Sequence, residues 1–271
     1  MSLSHWHGGE RGSEVVLVHG LGSAARLEWQ HTLPALASRH RVYAPDLPGF
    51  GDSDHPESGY GIELFTRALA GFIRALRLTR VTLVGASMGG GVALALAQRH
   101  PDLVERLALV DAFGLGRPRL MPQHLLLSLP GLGELSMKAA AAAVAVAPPA
   151  LVLALRRRML GAGRPLGDGD YVQELRRIYR HPGYGRAYLA TIRSLAAFDW
   201  RSSDLESRLA GLRCPVLFIW GENDPLFPLE QAVEAQARLP GSRLLVIAGA
   251  GHSPHVERPQ EVNRELLDFA G

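Results

Sequence analysis

The first part of the chain alternates short apolar runs with amphipathic stretches. Continuous apolar runs that are rich in β-branched residues and end at turn residues are typical of buried parallel strands. Four such runs predict strands, at Glu14–His19, His40–Pro45, Val81–Ala86 and Val104–Asp111. Strands that alternate with helices form βαβ units, so the pattern predicts an α/β fold with a mostly parallel central sheet flanked by helices.

Two of the stretches between these strands have the spacing of helices. They are Ile62–Leu76 and Met88–Arg99, and Pro101 ends the second. In the first helix, five apolar positions are expected to form the buried face: Leu64, Ala68, Phe72, Ala75 and Leu76.

The strand pattern stops after Asp111, and helical spacing takes its place. The predicted helices are Leu120–Leu129, Gly133–Ala147, Ala150–Met159, Asp170–His181 and Gly185–Ala197. Strands return at Cys214–Gly221 and Arg243–Ile247, with the amphipathic segment Glu230–Leu239 between them and a final helix over Pro259–Phe269. We therefore predict an α/β core in two parts, 1–112 and 198–271, interrupted by an all-helical cap over 113–197.

One segment of the predicted cap, Ala139–Leu155, is apolar enough to resemble a membrane span. It is slightly short for that purpose, and Pro148 and Pro149 divide it. We expect two helices joined at the proline pair, and no stable membrane insertion. The following run Arg156–Arg158 is expected to be solvated, because three consecutive charges on a helix point in three directions.

The strongest chemical signal is Gly85-Ala86-Ser87-Met88-Gly89-Gly90, which matches G-x-S-x-G between a predicted strand and a predicted helix. The motif requires that context, because a sharp strand-to-helix turn exposes the serine Oγ. The flanking glycines leave room for the turn, and the helix N-terminus offers free N–H groups to an oxyanion. Ser87 is the predicted nucleophile.

A serine hydroxyl needs a general base, and His252 is the candidate. It follows the last apolar run, in Gly249-Ala250-Gly251-His252, and so lies in a loop at the C-terminal end of a strand. The chain has 11 histidines. We expect the competitor His255 to be a surface residue, together with His5, His7, His40 and His100.

The third member should be a carboxylate that fixes the histidine tautomer. Asp224 fits, at the end of the strand Cys214–Gly221 and just before Pro225. Glu222 and Asp111 are alternatives, and Asp111 is the stronger of them, because it also ends a strand.

The loop His19-Gly20-Leu21-Gly22 follows the first predicted strand. We expect the backbone N–H groups of Leu21 and Met88 to form the oxyanion hole, and His19 to pack the loop. The turn-rich stretch Asp46–Ser53 is expected to brace the site.

Composition narrows the class of protein, its expected location and its expected partners. The chain has 271 residues, 47% of them hydrophobic and 20% charged, which is typical of a globular enzyme. A single cysteine and a polar N-terminus without an apolar signal region favour a cytoplasmic location. The net charge of +3 is weak and has no basic–aromatic clustering, so we expect no nucleic-acid partner.

Five motifs in order resemble the α/β-hydrolase superfamily, and most of all its cap-bearing bacterial serine hydrolases of the esterase-like branch. They are HGLG at 19–22, DLPGFGDSD at 46–54, GASMGG at 85–90, GENDP at 221–225 and GHSPHVERP at 251–259. The resemblance implies a lid of helices, no cofactor, no metal, and two-step acyl transfer to water.

Several branches of the superfamily are separated by single positions. Ser87 argues against the dehalogenase and epoxide hydrolase branches, which use aspartate. Carbon–carbon hydrolases of ring-cleavage pathways often have asparagine where Ala86 stands and tryptophan where Ser253 stands. The haloperoxidase-like branch usually has an aromatic residue in place of Leu21. With only 18 residues before His19, the first strand of the fold is expected to be missing or reduced.

The sequence therefore predicts an enzyme that hydrolyses carboxylic esters of small to medium hydrophobic molecules. The alternatives are a carbon–carbon bond hydrolase or lactonase, and a ligand-sensing protein with little turnover. No oligomeric state is predicted.

Overall fold

A mixed sheet runs through the computed structural model, which describes residues 1–119, 122–163, 169–197, 207 and 209–271, with backbone alone for 122–124. Seven strands are described, in the spatial order β1-β3-β2-β4-β5-β6-β7. Their bounds are β1 His5–Gly8, β2 Glu14–Val18, β3 Arg41–Pro45, β4 Val81–Ala86, β5 Val104–Val110, β6 Val216–Gly221 and β7 Arg243–Ile247. All neighbours are parallel except β1 and β3. The predicted α/β fold is confirmed, and the four-residue β1 is its short edge strand.

Twelve helices are described, and we number them in chain order. Those before β6 are α1 Ala25–Glu28, α2 Thr32–Leu36, α3 Ile62–Ala75, α4 Met88–Arg99, α5 Pro122–Ser128, α6 Leu132–Val146, α7 Pro149–Met159, α8 Gly169–Arg180 and α9 Tyr184–Ala196. Those after β6 are α10 Leu229–Arg238, α11 Pro254–Glu257 and α12 Pro259–Ala270. The predicted strands and long helices match these bounds to within two residues at each end.

The register of the central strands brings their C-terminal ends to one edge of the sheet. Val18 pairs with Gly85, Ala86 with Val110, and Val110 with Ile219. Every residue of β4 and β6 is buried, because both faces of these strands are covered. The residues that follow the strands, including Ser87 and Asp111, therefore meet at the edge where ligands bind in open α/β sheets.

The buried face of α3 differs from the one that the sequence predicts. Leu64 and Phe72 are buried as expected, but Ala75 and Leu76 are exposed. The core side of the helix is instead formed by Phe65, Leu69, Ala70 and Ile73. The predicted stripe faces the N-terminal residues across a surface groove.

Two histidines expected at the surface are buried. His40 is 2% exposed, and its Nδ1 lies 2.8 Å from Ser13 Oγ. His255 is 1% exposed, lies against the ring of Trp29, and places Nε2 3.1 Å from Glu28 Oε1. Both predictions fail because the partners of these rings lie far away in the sequence.

Helices α5 to α9 lie between β5 and β6, and we call them the inserted helices. Helix α6 ends at Val146 and α7 begins at Pro149, so the proline pair Pro148 and Pro149 separates two helices, as predicted. Leu120, the predicted start of the first helix, and residues 198–206 at the predicted return to the core lie outside the described residues. No helix in the described part of the chain is long and apolar enough to cross a membrane.

Candidate active site

Ser87 stands on a sharp turn between β4 and α4. Its φ of 53° and ψ of −121° lie in a region that a non-glycine residue occupies only when its surroundings hold it there. Glycines make the turn possible, since a Cβ on Gly85 would come within 2.4 Å of the Gly89 carbonyl oxygen. A Cβ on Gly89 would meet the carbonyl oxygens of Val18 and His19 at 2.3 and 2.5 Å. The motif thus packs α4 against β2 and pushes the serine out of the sheet.

The structure brings the three predicted catalytic side chains together. Ser87 Oγ lies 2.9 Å from His252 Nε2, and His252 Nδ1 lies 2.8 Å from Asp224 Oδ2. Ser87 is half-buried, whereas the other two are nearly inaccessible. The three side chains form a continuous chain of hydrogen bonds from the hydroxyl to the carboxylate.

Backbone groups hold the Asp224 carboxylate in place. Its Oδ1 accepts hydrogen bonds from the N–H groups of Leu226 (2.7 Å) and Phe227 (3.1 Å). Oδ2 is thereby left for His252. Because each oxygen has a defined role, the carboxylate fixes the proton of the imidazole on Nδ1 and leaves Nε2 to accept a proton from Ser87.

The charge state of His252 follows from its neighbours. Burial alone would lower its pKa, but the nearby Asp224 carboxylate, through charge and hydrogen bond, raises the pKa above the ordinary value of 6.5. A base with a raised pKa takes up the serine proton more readily. Its raised basicity favours general-base catalysis near neutral pH.

Asp111, the alternative acid, lies beside the triad without joining it. It is 0% exposed, its Oδ1 accepts the Gly221 N–H at 2.9 Å, and its Oδ2 has no hydrogen-bond partner among the described residues. Burial, and then the negative charge of Asp224, raise the pKa of Asp111 well above its ordinary value. We conclude that Asp111 favours the neutral form, in which it adds no second charge beside Asp224.

Asp111, Asp224 and His252 also form the one group of acidic and histidine side chains in the described residues that is close enough to share a metal ion. Their ligand atoms lie within 4.8 Å of one another. The bond between His252 and Asp224 and the backbone donors on both carboxylates already use most of these atoms. The donor set therefore fits proton transfer better than metal binding.

The two predicted oxyanion donors border the same cavity as Ser87 and His252. Neither the Leu21 nor the Met88 amide donates a backbone hydrogen bond within the described residues. A Cβ on Gly20 would come within 3.1 Å of Ser87 Cβ, so the loop passes directly beside Ser87. Two unused donors near a nucleophile are what a developing oxyanion requires.

Two loops brace this arrangement. His19 Nε2 accepts the Leu47 N–H at 2.9 Å, so Nδ1 carries the proton and donates to the Gly20 carbonyl at 2.8 Å. Asp46 accepts hydrogen bonds from the N–H groups of Ala25 and Asp52. His19 and the 46–53 stretch therefore have the supporting roles expected of them.

Sequence reasoning missed Glu257, which joins the histidine loop to the segment after α7. Its Oε1 accepts the Gly251 N–H at 2.9 Å, and its Oε2 accepts the Gly163 N–H at 2.7 Å. The His252 N–H also donates to the Leu160 carbonyl at 2.8 Å. The position of the base is thus tied to the inserted helices. No local pattern indicates this role, because 94 residues separate Glu257 from Gly163.

A cavity of about 220 Å³ opens above Ser87. Its floor is the catalytic edge of the sheet, and its walls come from the inserted helices and from the loop after β6. The apolar lining includes Phe113, Met159, Ile192, Leu226 and Phe227. A cavity below the ~300–1,000 Å³ of typical ligand pockets favours a small substrate.

Comparisons with known proteins identify the family of the chain. The profile of the alpha/beta hydrolase fold family matches residues 15–259. A 2-hydroxy-6-oxo-2,4-heptadienoate hydrolase of Pseudomonas putida is 31% identical over 267 residues, which are 95% of this chain and 89% of that protein.

Solved structures give the same result. The enol-lactonase of Burkholderia xenovorans superposes with a TM-score of 0.75 at 26% sequence identity. The match covers 98% of this chain and 95% of the enol-lactonase chain. A thermophilic esterase of Thermogutta terrifontis superposes with a TM-score of 0.71 at 26% sequence identity, and the match covers 98% of this chain and 92% of the esterase chain. With a family profile that covers residues 15–259 and a sheet of the same fold, the chain belongs to the alpha/beta hydrolase fold family.

Proposed function

We propose that the chain is a serine hydrolase that cleaves carboxylic esters of small, largely hydrophobic molecules through an acyl-enzyme intermediate. The observation that carries this proposal is the chain of hydrogen bonds Ser87–His252–Asp224 at the floor of a cavity. Serine, histidine and aspartate in these roles define acyl-transfer enzymes on several unrelated folds.

In the acylation step, Ser87 Oγ attacks the ester carbonyl carbon while His252 Nε2 accepts the hydroxyl proton. The negative charge moves to the carbonyl oxygen, where the N–H groups of Leu21 and Met88 stabilise it. Asp224 stabilises the imidazolium. The tetrahedral intermediate then collapses, the carbon–oxygen bond to the alcohol breaks, and His252 gives its proton to the leaving alcohol.

In the deacylation step, a water molecule takes the place of the alcohol. The water oxygen attacks the acyl carbonyl carbon while His252 accepts a proton from the water. The N–H groups of Leu21 and Met88 then stabilise the second oxyanion. The bond to Ser87 Oγ breaks, the serine recovers its proton from His252, and the carboxylic acid leaves. No cofactor is needed for either step.

We propose that the inserted helices act as a cap that completes the substrate cavity. Tyr184 and Tyr188 of α9 border the cavity and pack against Gly22 of the oxyanion loop. The apolar walls support small to medium hydrophobic substrates. The limits 113–197 remain our proposal for this cap within the 271-residue chain.

The test is steady-state hydrolysis of p-nitrophenyl esters from acetate to palmitate, with Ser87→Ala as the control. We expect turnover that peaks at short to medium acyl chains and falls by several orders of magnitude in Ser87→Ala. A folded protein without turnover on any of these esters would rule out the esterase proposal.

The second candidate is a carbon–carbon bond hydrolase or lactonase. It is favoured by the names of similar proteins, which include a 2-hydroxy-6-oxo-2,4-heptadienoate hydrolase and an enol-lactonase. A spectral assay on a vinylogous diketone separates the two candidates. Diketone cleavage faster than that of every p-nitrophenyl ester would favour the second.

A further inference from the structure

Arg156 differs from its two neighbours in its surroundings. Arg157 and Arg158 are exposed, as the sequence predicts for a run of arginines, but Arg156 borders the cavity above Ser87. Val152, one helical turn earlier, is the buried residue of α7. Residues four apart share a helix face, so Arg156 lies on the side of α7 that packs inward.

The guanidinium of Arg156 is only partly satisfied. It lies over the ring of Tyr171, 5.7 Å from its centroid. Its Nε is buried and has no hydrogen-bond partner, and no ion pair is formed by Arg156 within the described residues. A partly buried guanidinium that makes no direct ion pair keeps unused hydrogen-bonding capacity, and a ligand with a negative charge would use it.

The electrostatics of the cavity favour an anion. Its described lining includes Arg156 and Arg119 but no aspartate or glutamate. Glu28, the carboxylate that acts on Arg156 through charge, is bonded to His255. Arg119 is exposed, and its position on the cavity wall suits it to attract an anion from solvent.

Neutral hydrogen-bond donors surround the same region. Tyr179, Tyr184 and Tyr188 all border the cavity. Burial raises the pKa of Tyr188 to about 12 and that of Tyr184 well above its ordinary value, so both hydroxyls keep their protons. The Tyr184 hydroxyl donates to the Gly22 carbonyl at 3.3 Å, whereas the Tyr188 hydroxyl remains to contact an anion without adding a competing negative charge.

From this geometry we propose that Arg156 is a substrate-binding residue that pairs with a carboxylate on the substrate, away from the bond that Ser87 attacks. The substrate is then a small, mainly apolar molecule with a single carboxylate. A carboxylate fits better than a phosphate monoester, because one guanidinium balances the single charge of a carboxylate, whereas a phosphate monoester carries about −1.5 to −2 near neutral pH. The identity of the cleaved bond rests on the function proposed above, whereas the anion site does not.

The kinetic test compares two esters of equal acyl length, p-nitrophenyl hydrogen adipate and p-nitrophenyl hexanoate. We expect the wild-type protein to have a higher kcat/KM for the adipate ester. Arg156→Gln should lower that value about tenfold or more, because a charged hydrogen bond contributes ~1.5–3 kcal/mol. The ratio of kcat/KM for the adipate ester to kcat/KM for the hexanoate ester should therefore fall about tenfold or more in Arg156→Gln, whereas Arg157→Gln should match the wild type on both esters. Arg156→Lys, which keeps the charge, should retain part of the preference.

A binding test separates failure of this inference from failure of the esterase proposal. Calorimetric titration with benzoate should show binding to the wild-type protein and binding at least about tenfold weaker in Arg156→Gln, with circular dichroism as the folding control. Benzoate binding that depends on Arg156 supports the anion site even if no ester is hydrolysed. Equal binding by both proteins, no binding by either, or a wild-type preference for hexanoate would each overturn the inference.

Discussion

Replacing Asp224 by asparagine tests how the carboxylate orients His252, with little change in the shape of the side chain. The carboxylate uses Oδ1 for two backbone N–H groups and Oδ2 for His252 Nδ1. In Asp224→Asn, the backbone donors select the amide oxygen for the first position. The NH₂ group then faces His252 and donates to Nδ1, so the ring proton must move to Nε2, where it blocks transfer from Ser87.

The size of the effect follows from this reversed tautomer. The imidazole can no longer accept the serine proton in its ground state, and the imidazolium loses its carboxylate. The same substitution in a serine protease lowers kcat by about 10⁴, which is roughly 5.5 kcal/mol of transition-state stabilisation. Asp224 does not border the cavity, so KM should change little.

The assay is burst and steady-state hydrolysis of p-nitrophenyl butyrate by Asp224→Asn, with Asp111→Asn as the matched control. We expect a fall in kcat of about 10⁴ for the first variant and less than about tenfold for the second. A loss below tenfold in Asp224→Asn would refute the reasoning. The reverse pattern would make Asp111 the orienting acid.

Three further predictions concern the pH dependence of activity, the pH dependence of stability, and the hydrogen bonds of Glu257. Because its neighbours raise the pKa of His252, kcat/KM should fall as the pH drops through a value above 6.5, and in Asp224→Asn the residual activity should extend to lower pH. Burial and the charge of Asp224 raise the pKa of Asp111 in the folded protein above its value of 3.8 in the unfolded chain. The protonated Asp111 carboxyl therefore favours the folded state fully at a pH below 3.8, and this stabilisation is lost as the pH rises through the pKa of the folded state. Asp111→Asn should therefore raise Tm relative to wild type at pH 8 but not at pH 4, and an equal shift at both would contradict this. Glu257→Gln should reduce the unfolding free energy by about 1–3 kcal/mol in denaturant titrations, because one of the two backbone N–H groups that Glu257 binds, those of Gly251 and Gly163, loses its acceptor. Unchanged stability would show that these bonds do not hold the histidine loop.

The parts of the molecule that depend on local pattern could be predicted from the sequence. Buried parallel strands are continuous apolar runs, which explains why β4 and β7 match their predicted bounds. Ser87 was identifiable because its motif combines glycines with a strand-to-helix turn. His252 and Asp224 were identifiable because each follows the end of a strand, and the ends of parallel strands meet at one edge of the sheet.

Features that depend on distant contacts could not be predicted. His255 was expected at the surface, and its partner Glu28 is 227 residues away. Arg156 has the same local pattern as Arg157, and only the packing of α7 against α8, which places Tyr171 beside it, separates the two. The charge state of Asp111 likewise depends on Asp224, which lies on another strand end.

The buried face of α3 could not be predicted from the sequence either. The helix has apolar residues on more than one side, so its spacing alone does not identify the core side. Phe65 and Ile73 face the core, while Ala68 and Leu76 border a groove near Leu3 and His5. Only the position of the N-terminal residues shows which apolar stripe the sheet covers.

The central claim is that Ser87 is the nucleophile, activated by His252. The most direct measurement is intact-protein mass spectrometry after treatment with diisopropyl fluorophosphate, followed by peptide mapping of the adduct. We predict one diisopropylphosphoryl group on the peptide that contains Ser87, and none in Ser87→Ala or on unfolded protein. An unmodified wild-type protein, or an adduct that persists in Ser87→Ala, would contradict the account.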